Sequence, residues 1–275
     1  MPQSSGLVSG SVIAAMEIEQ HIAALQRDGD LLADAAERAG LATPVPSCPS
    51  WQVDDLLRHI SYVHRWAAGY VVERRTEQLP DRPGEAELLS SSTPNGGLLA
   101  WFRAGHQSLV TAMTQADPDL SCWSFLDAPS PLAFWARRQA HETAIHRADA
   151  ELAAGHVTPF NTEFAADGID ELIMGFFGRD AGRLSDAQRS AGRQWIQVRP
   201  TDTGEAWHLE LTADGKLASA VGRGLGEADC TLTGPAAGLY LLLWNRADPA
   251  TASVEVSGDA TVLRAWQQGM RVTWE

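Results

Sequence analysis

Ala140-His141-Glu142-Thr143-Ala144-Ile145-His146-Arg147 is the stretch on which the reading of this chain turns. It sits inside a segment, Leu132 to Ala154, whose spacing predicts a helix that stops at Gly155. Four residues turn an α-helix by about 400°, so Glu142 and His146 leave the same face one turn apart. A carboxylate and an imidazole stacked in that way are two ready ligands for one divalent metal ion. The zinc-protease pattern H-E-x-x-H fails here by one residue. His141 and His146 are five apart, about 140° around the helix, and do not share an ion easily. A metal site on this helix therefore uses Glu142 with His146 and takes a third ligand from elsewhere.

Working outward, the apolar spacing predicts further helices over about 12–39, 51–75 and 97–115. The first carries Ile18, Ile22, Leu25, Leu31, Leu32 and Ala35 and stops at Gly40. A proline-rich loop, Thr43 to Pro49, leads into the second, with Ser50 as the expected N-cap and Asp54 and Asp55 suited to the helix dipole. Residues 76–95 and 117–131 read as loops. Four helices of roughly 20 residues predict a four-helix bundle, in which metal sites are built from inward-facing side chains. A fifth helix near Thr162–Phe177 leads to a region of different texture. Trp195–Arg199 and Ala206–Leu211 alternate as strands do, Asp214-Gly215-Lys216 is a turn between strands, and Ala228–Thr233 is a further strand. A helix from Pro235 to Trp244, a strand over Ser253–Val256 and a last helix from Asp259 complete an α+β fold. The expected domains are a helical bundle over 12–180 and a small α+β domain over 190–275.

The net charge of −14 argues against nucleic acid and against an anionic membrane surface, both of which call for basic protein. It leaves room for an anionic small substrate held by a local arginine or a metal. Cys48, Cys122 and Cys230 match no C-x-x-C pattern and suggest a reducing compartment. Neither a signal peptide nor a membrane span is apparent, so a cytoplasmic protein is expected. A monomer is the default for this architecture. The 10 tryptophans are core residues first, with a few left to line a pocket.

His59, in Leu56-Leu57-Arg58-His59-Ile60, sits mid-helix among apolar residues. A lone histidine there is more often a core residue bonded to a carbonyl. Beside Glu142 and His146 it becomes the third member of a two-histidine, one-carboxylate tripod, which leaves a position open for water or substrate. His64, five residues on, reads as surface or an outer-shell group, and His141 as an outer-shell partner at most. Arg246, Arg138 and Arg147 are the candidate clamps for a carboxylate, each weighed against an ordinary salt-bridged arginine.

Cys48-Pro49-Ser50-Trp51-Gln52-Val53-Asp54-Asp55-Leu56-Leu57-Arg58-His59 and Phe134 through Arg147 resemble the mycothiol-dependent maleylpyruvate isomerase family. Gly234 through Arg246 and Val256-Ser257-Gly258-Asp259-Ala260 resemble its C-terminal domain. The resemblance covers nearly the whole chain. It implies a DinB-like four-helix bundle followed by a small sterol-carrier-like α/β domain. It implies zinc on His59, Glu142 and His146, although another divalent metal suits the same ligands. It implies mycothiol, an actinobacterial low-molecular-weight thiol, as co-substrate, and a small electrophile as its target. It favours Arg246, because the family's second domain covers the cleft of the bundle. The expected activity is thus a zinc- and thiol-dependent isomerase or S-transferase. The alternative is a non-catalytic binding or regulatory protein of the same fold.

Overall fold

The structure, a computed structural model, describes residues 16–78, 97–177, 194–211, 217–221 and 227–269. These fall into two compact units that meet in sequence at Pro159 and Phe160.

The first unit holds four long helices: α1 (Ile18–Ala39), α2 (Val53–Glu73), α3 (Leu98–Thr114) and α4 (Pro131–Ala153). α1 and α3 each bury one stripe, whereas α2 is buried on every face over Leu56–His64. On α1 the stripe is Leu25, Gly29, Leu32 and Ala36, at the three- and four-residue spacing of a helix that turns one face inward. α4 is different. It is buried on almost every face and has almost no amphipathic character, although it carries arginines, glutamates and histidines. Its polar groups are tolerated because they pair with one another inside the bundle, as described below. Ser130 caps it, its hydroxyl accepting from Ala133 N at 3.1 Å, and Pro131 follows at the first helical position. α1 and α2 both pack on α4, and α3 packs on α1 and α2.

The start of α2 differs from expectation, for a reason that matters to the site. Ser50 is not the cap. The backbone of this region is taken up by the loop itself: Trp51 N donates to Cys48 O at 2.8 Å, and Trp51 O accepts from Val45 N at 2.9 Å. Gln52 caps the helix instead, with Asp55 reaching back to Gln52 N at 2.9 Å in a capping box. Trp51 is thereby fixed just ahead of the helix. The expected loop over 76–95 lies largely outside the described residues, as does the start of the predicted first helix.

The second unit opens with α5 (Thr162–Asp170), which runs on as one wider-wound π-helical stretch, Glu171–Phe177, rather than as α-helix. Then come β1 (Gln194–Pro200), β2 (Trp207–Leu211), β3 (Leu217–Val221), β4 (Cys230–Gly234), α6 (Ala236–Leu243), β5 (Glu255–Gly258) and α7 (Ala260–Gly269). The strands form one sheet in the order β3-β2-β1-β4-β5. β1 and β4 run parallel, and the other pairs are antiparallel. Ile196, Val198, Trp207, Leu209, Cys230 and Leu232 are buried at alternate positions, the period-2 pattern of a sheet with one face on a core. α6 and α7 pack on β1 and β4. A helical bundle followed by a small α+β unit is the fold class expected from the sequence.

Candidate metal centre in the helical bundle

Within the bundle, α2 supplies His59 and α4 supplies Glu142 and His146. All three are buried, with 1%, 3% and 4% of their surface exposed. One ligand atom from each lies within 4.8 Å of the others. Glu142 Oε1 stands 3.4 Å from His146 Nε2 and 3.6 Å from His59 Nε2. Two ligands each ~2.0–2.1 Å from a tetrahedral zinc ion are about 3.4 Å apart, so these spacings are those of edges of a coordination tetrahedron. Glu142 Oε1 is buried and has no hydrogen-bond partner of good geometry. Such an atom is costly to bury unless something else satisfies it. The donor set, its spacing and this oxygen all fit a divalent cation.

The groups around the three donors hold them in place. Arg138, one turn before Glu142, donates from Nη2 to Glu142 Oε2 at 2.8 Å, which leaves Oε1 turned to the imidazoles. His146 Nδ1 lies 2.8 Å from Asp149 Oδ2, three residues along α4. With Asp149 accepting there, His146 presents Nε2 to the site. Asp149 is fully buried and is itself held by the hydroxyl of Ser47, which donates to Oδ1, while Cys48 Sγ stands 4.0 Å from Oδ2. The indole of Trp51 meets both imidazoles, its centroid 5.0 Å from that of His59 and 6.2 Å from that of His146.

The electrostatics follow from this crowding. Burial, the largest influence, pushes the Glu142 carboxyl upward. The imidazoles of His146 and His59 and the Arg138 guanidinium outweigh it and hold Glu142 well below the ordinary carboxylate value. Burial pushes His146 downward, but Asp149 and Glu142 outweigh it and raise the imidazole above its ordinary value. Without a cation, the site thus pairs an ionised Glu142 with a His146 that keeps its proton more readily than a free imidazole.

The other expected residues are placed as follows. Arg138 and Arg147 are both buried and committed to carboxylates, so neither is a free clamp. Arg147 donates from Nη1 to Glu151 Oε2 at 2.8 Å and to Thr158 O at 2.7 Å, and its Nε lies 3.3 Å from Asp28 Oδ1 on α1. That network ties α1 and the segment after α4 to α4. His64 is not at the surface. It is fully buried, its Nε2 2.8 Å from Thr143 Oγ1 and its ring 5.3 Å from His106. His141 turns toward α1, where its ring meets His21 edge-on at 6.1 Å. Arg246 belongs to the second unit, just past α6, and donates from Nη1 to Trp244 O at 2.7 Å. The sequence reading missed Asp149, Ser47 and Trp51. The i, i+3 spacing of His146 and Asp149 was a usable signal for the first.

Fold and site together define a protein of two units, a helical bundle with a two-histidine, one-glutamate centre between α2 and α4 and a small α+β unit after it. The chain belongs to the mycothiol-dependent maleylpyruvate isomerase family. The family model described as the mycothiol maleylpyruvate isomerase N-terminal domain matches residues 22–151, and that of the family's C-terminal domain matches residues 163–265. Two solved structures share the fold. One is a mycothiol-dependent maleylpyruvate isomerase, with TM-score 0.59 and 12% identity over 90% of this chain and 95% of that one. The other is a histidine-to-alanine mutant described under the same name, with TM-score 0.60 and 13% identity over the same shares. No curated protein matches the chain by sequence. Among the described residues no helix is long and apolar enough to cross a membrane.

Proposed function

We propose that this chain is a metal-dependent enzyme that uses mycothiol to attack a small electron-poor substrate, acting as an isomerase of the maleylpyruvate isomerase type or as a thiol S-transferase. The observation that carries the reading is the buried cluster of His59 Nε2, Glu142 Oε1 and His146 Nε2, spaced as the ligands of one cation and offering three protein donors rather than four. Family membership supports the thiol.

Zinc held by this set would supply Lewis acidity, lowering the pKa of a thiol at the open position so that thiolate is present near neutral pH. The residues of the chain do the rest. Glu142 contributes a carboxylate that Arg138 orients. His146 contributes Nε2 because Asp149 accepts the hydrogen bond from Nδ1–H. His59 contributes the donor from the facing helix. The buried setting keeps bulk water away from the reacting centre.

In the isomerase reading, the thiolate sulfur forms a bond to one carbon of a conjugated double bond, and the electron pair moves to the neighbouring carbonyl. The former double bond rotates, the pair returns, and the carbon–sulfur bond breaks to release the same thiolate. In the transferase reading the bond to sulfur stays and the adjacent carbon or oxygen takes a proton. Arg246 enters as the proposed partner of a substrate carboxylate on the strength of the family resemblance. Cys48, Cys122 and Cys230, none of them in a disulfide, suit a reducing compartment, and we propose that the protein is cytoplasmic.

The test is to mix metal-loaded protein with mycothiol and maleylpyruvate and follow both. Isomer conversion with no loss of thiol supports the isomerase, and stoichiometric loss of thiol supports the transferase. Tight binding with neither would favour a non-catalytic protein of the same fold.

A further inference from the structure

We infer that Trp51 is the wall against which the substrate lies, and that it selects flat, conjugated acceptors over saturated ones. The inference rests on the metal-centre reading above and adds the chemical class of the electrophile.

Three observations carry it. First, the donors are almost completely buried, whereas Trp51, which meets both imidazoles, is only half-buried. Its ring lies nearly parallel to that of His146, at 24°, and is tilted by 49° to that of His59. The indole is thus a partly exposed ring in contact with two of the three donors.

Second, the indole is held from behind rather than left to adapt. Trp51 N and O are both tied into the 43–52 loop, which Pro44 and Gln52 close with an isolated bridge. Ser47 of the same loop donates to Asp149, and Asp149 holds His146. The ring and a metal ligand are therefore positioned by one continuous set of hydrogen bonds. A surface fixed in advance loses little freedom when a ligand arrives.

Third, the chemistry matches. The face of an indole is electron-rich, and flat electron-poor groups stack on it favourably. A conjugated carbonyl compound is such a group, and it is also what a thiolate attacks by addition. A saturated electrophile such as an epoxide or an alkyl halide gains contact area only.

The test compares maleate, which carries a flat, electron-poor double bond, with succinate, its saturated counterpart of the same charge. Neither is a thiol, so binding is read without turnover. Binding to zinc-loaded protein is measured by calorimetry for the wild type, Trp51→Phe and Trp51→Leu, with zinc content measured on the same samples. Trp51→Leu should lose a preference for maleate of about threefold to tenfold, the range of one aromatic contact, and Trp51→Phe should keep most of it. Cobalt(II) added to the metal-free protein should quench an indole signal present in the wild type and missing in Trp51→Phe. An unchanged preference in Trp51→Leu with zinc still bound overturns this inference and leaves the metal centre standing. A wild type that holds no zinc overturns the metal centre itself. Trp51→Phe, which keeps an apolar ring on the same loop, separates loss of stacking from loss of folding.

Discussion

Asp149 Oδ2 lies 2.8 Å from His146 Nδ1, so a carboxylate outside the proposed ligand set fixes which nitrogen of the imidazole faces Glu142 and His59. Partners of this kind are worth about 10- to 100-fold in metal affinity. Asp149→Ala should therefore weaken zinc binding by that range in competition with a chromophoric chelator. Ser47→Ala, which only loosens Asp149, should weaken it by less. If Asp149→Ala bound zinc as tightly as the wild type, the positioning role would be wrong.

Arg138 and Glu142 form a buried pair at 2.8 Å, one turn apart on α4. Removing Arg138 takes away one of the positive groups around the buried Glu142 carboxylate, at a cost of up to about 3–5 kcal/mol. Arg138→Met should destabilise the metal-free protein by that order, read as a lower melting temperature. It should also raise the Glu142 pKa, visible as a carboxyl that takes up a proton at higher pH in infrared difference spectra. Loading with zinc should return part of the lost stability, since the cation replaces the missing positive neighbour.

Binding of a cation requires His146 to lose its proton, and the metal-free site holds that proton above the ordinary imidazole value. Zinc affinity should accordingly rise by about tenfold per pH unit until pH passes the raised His146 pKa, then level off. Proton release on binding, read in buffers of different ionisation enthalpy, should fall over the same interval. Glu142 adds nothing near neutrality because its carboxyl is already ionised there.

Stability of the metal-free protein should bend in opposite directions on the two sides of neutrality. Burial lowers the pKa of both His64 and His106, and for His64 the neighbouring His106, Arg65 and His146 lower it further. Their contribution is present above the unfolded value of about 6.5 and is lost as pH falls through the lowered values. His146 is raised, so its contribution is present below about 6.5 and lost as pH rises through the raised value. Thermal unfolding against pH should show both limbs. His64→Gln should flatten the acid limb and His146→Gln the alkaline one.

Gly29 on α1 marks how closely the bundle is packed around these histidines. A Cβ placed there would overlap the ring of His106. The ring is held between Phe102, His64 and the backbone of α1 and cannot swing away freely. Gly29→Ala should cost about 1–3 kcal/mol by overpacking. At Gly105 a Cβ would meet only the end of the long Arg65 side chain. Gly105→Ala should also destabilise, because the guanidinium it displaces donates to Ser61 O at 3.1 Å and to Trp101 O at 2.8 Å.

The bundle and the helical pairing of Glu142 with His146 were legible because helix periodicity is a local property. Glu142 and His146 are neighbours by geometry alone. His59 needed a second helix, and the apolar residues around it together with the family motif pointed inward. The second unit was readable in outline from alternating strands and turn residues. What stayed hidden depended on contacts between distant segments. Nothing in the Ser47 region announces a bond to Asp149, 102 residues away. His64 and Arg147 looked like surface or clamp residues because polar side chains usually are exposed, yet α4 is buried on nearly all sides and its partners neutralise one another. The cap of α2 was misplaced at Ser50 because the loop's own hydrogen bonds overrode a good local cap residue.

The most direct measurement is metal analysis of the purified wild-type protein beside His146→Ala and His59→Ala, with circular dichroism to confirm folding. The account predicts about one zinc per chain in the wild type, as expected for a single three-ligand site, and little in either folded variant. Equal zinc in all three, or none in the wild type after incubation with the metal, would contradict it.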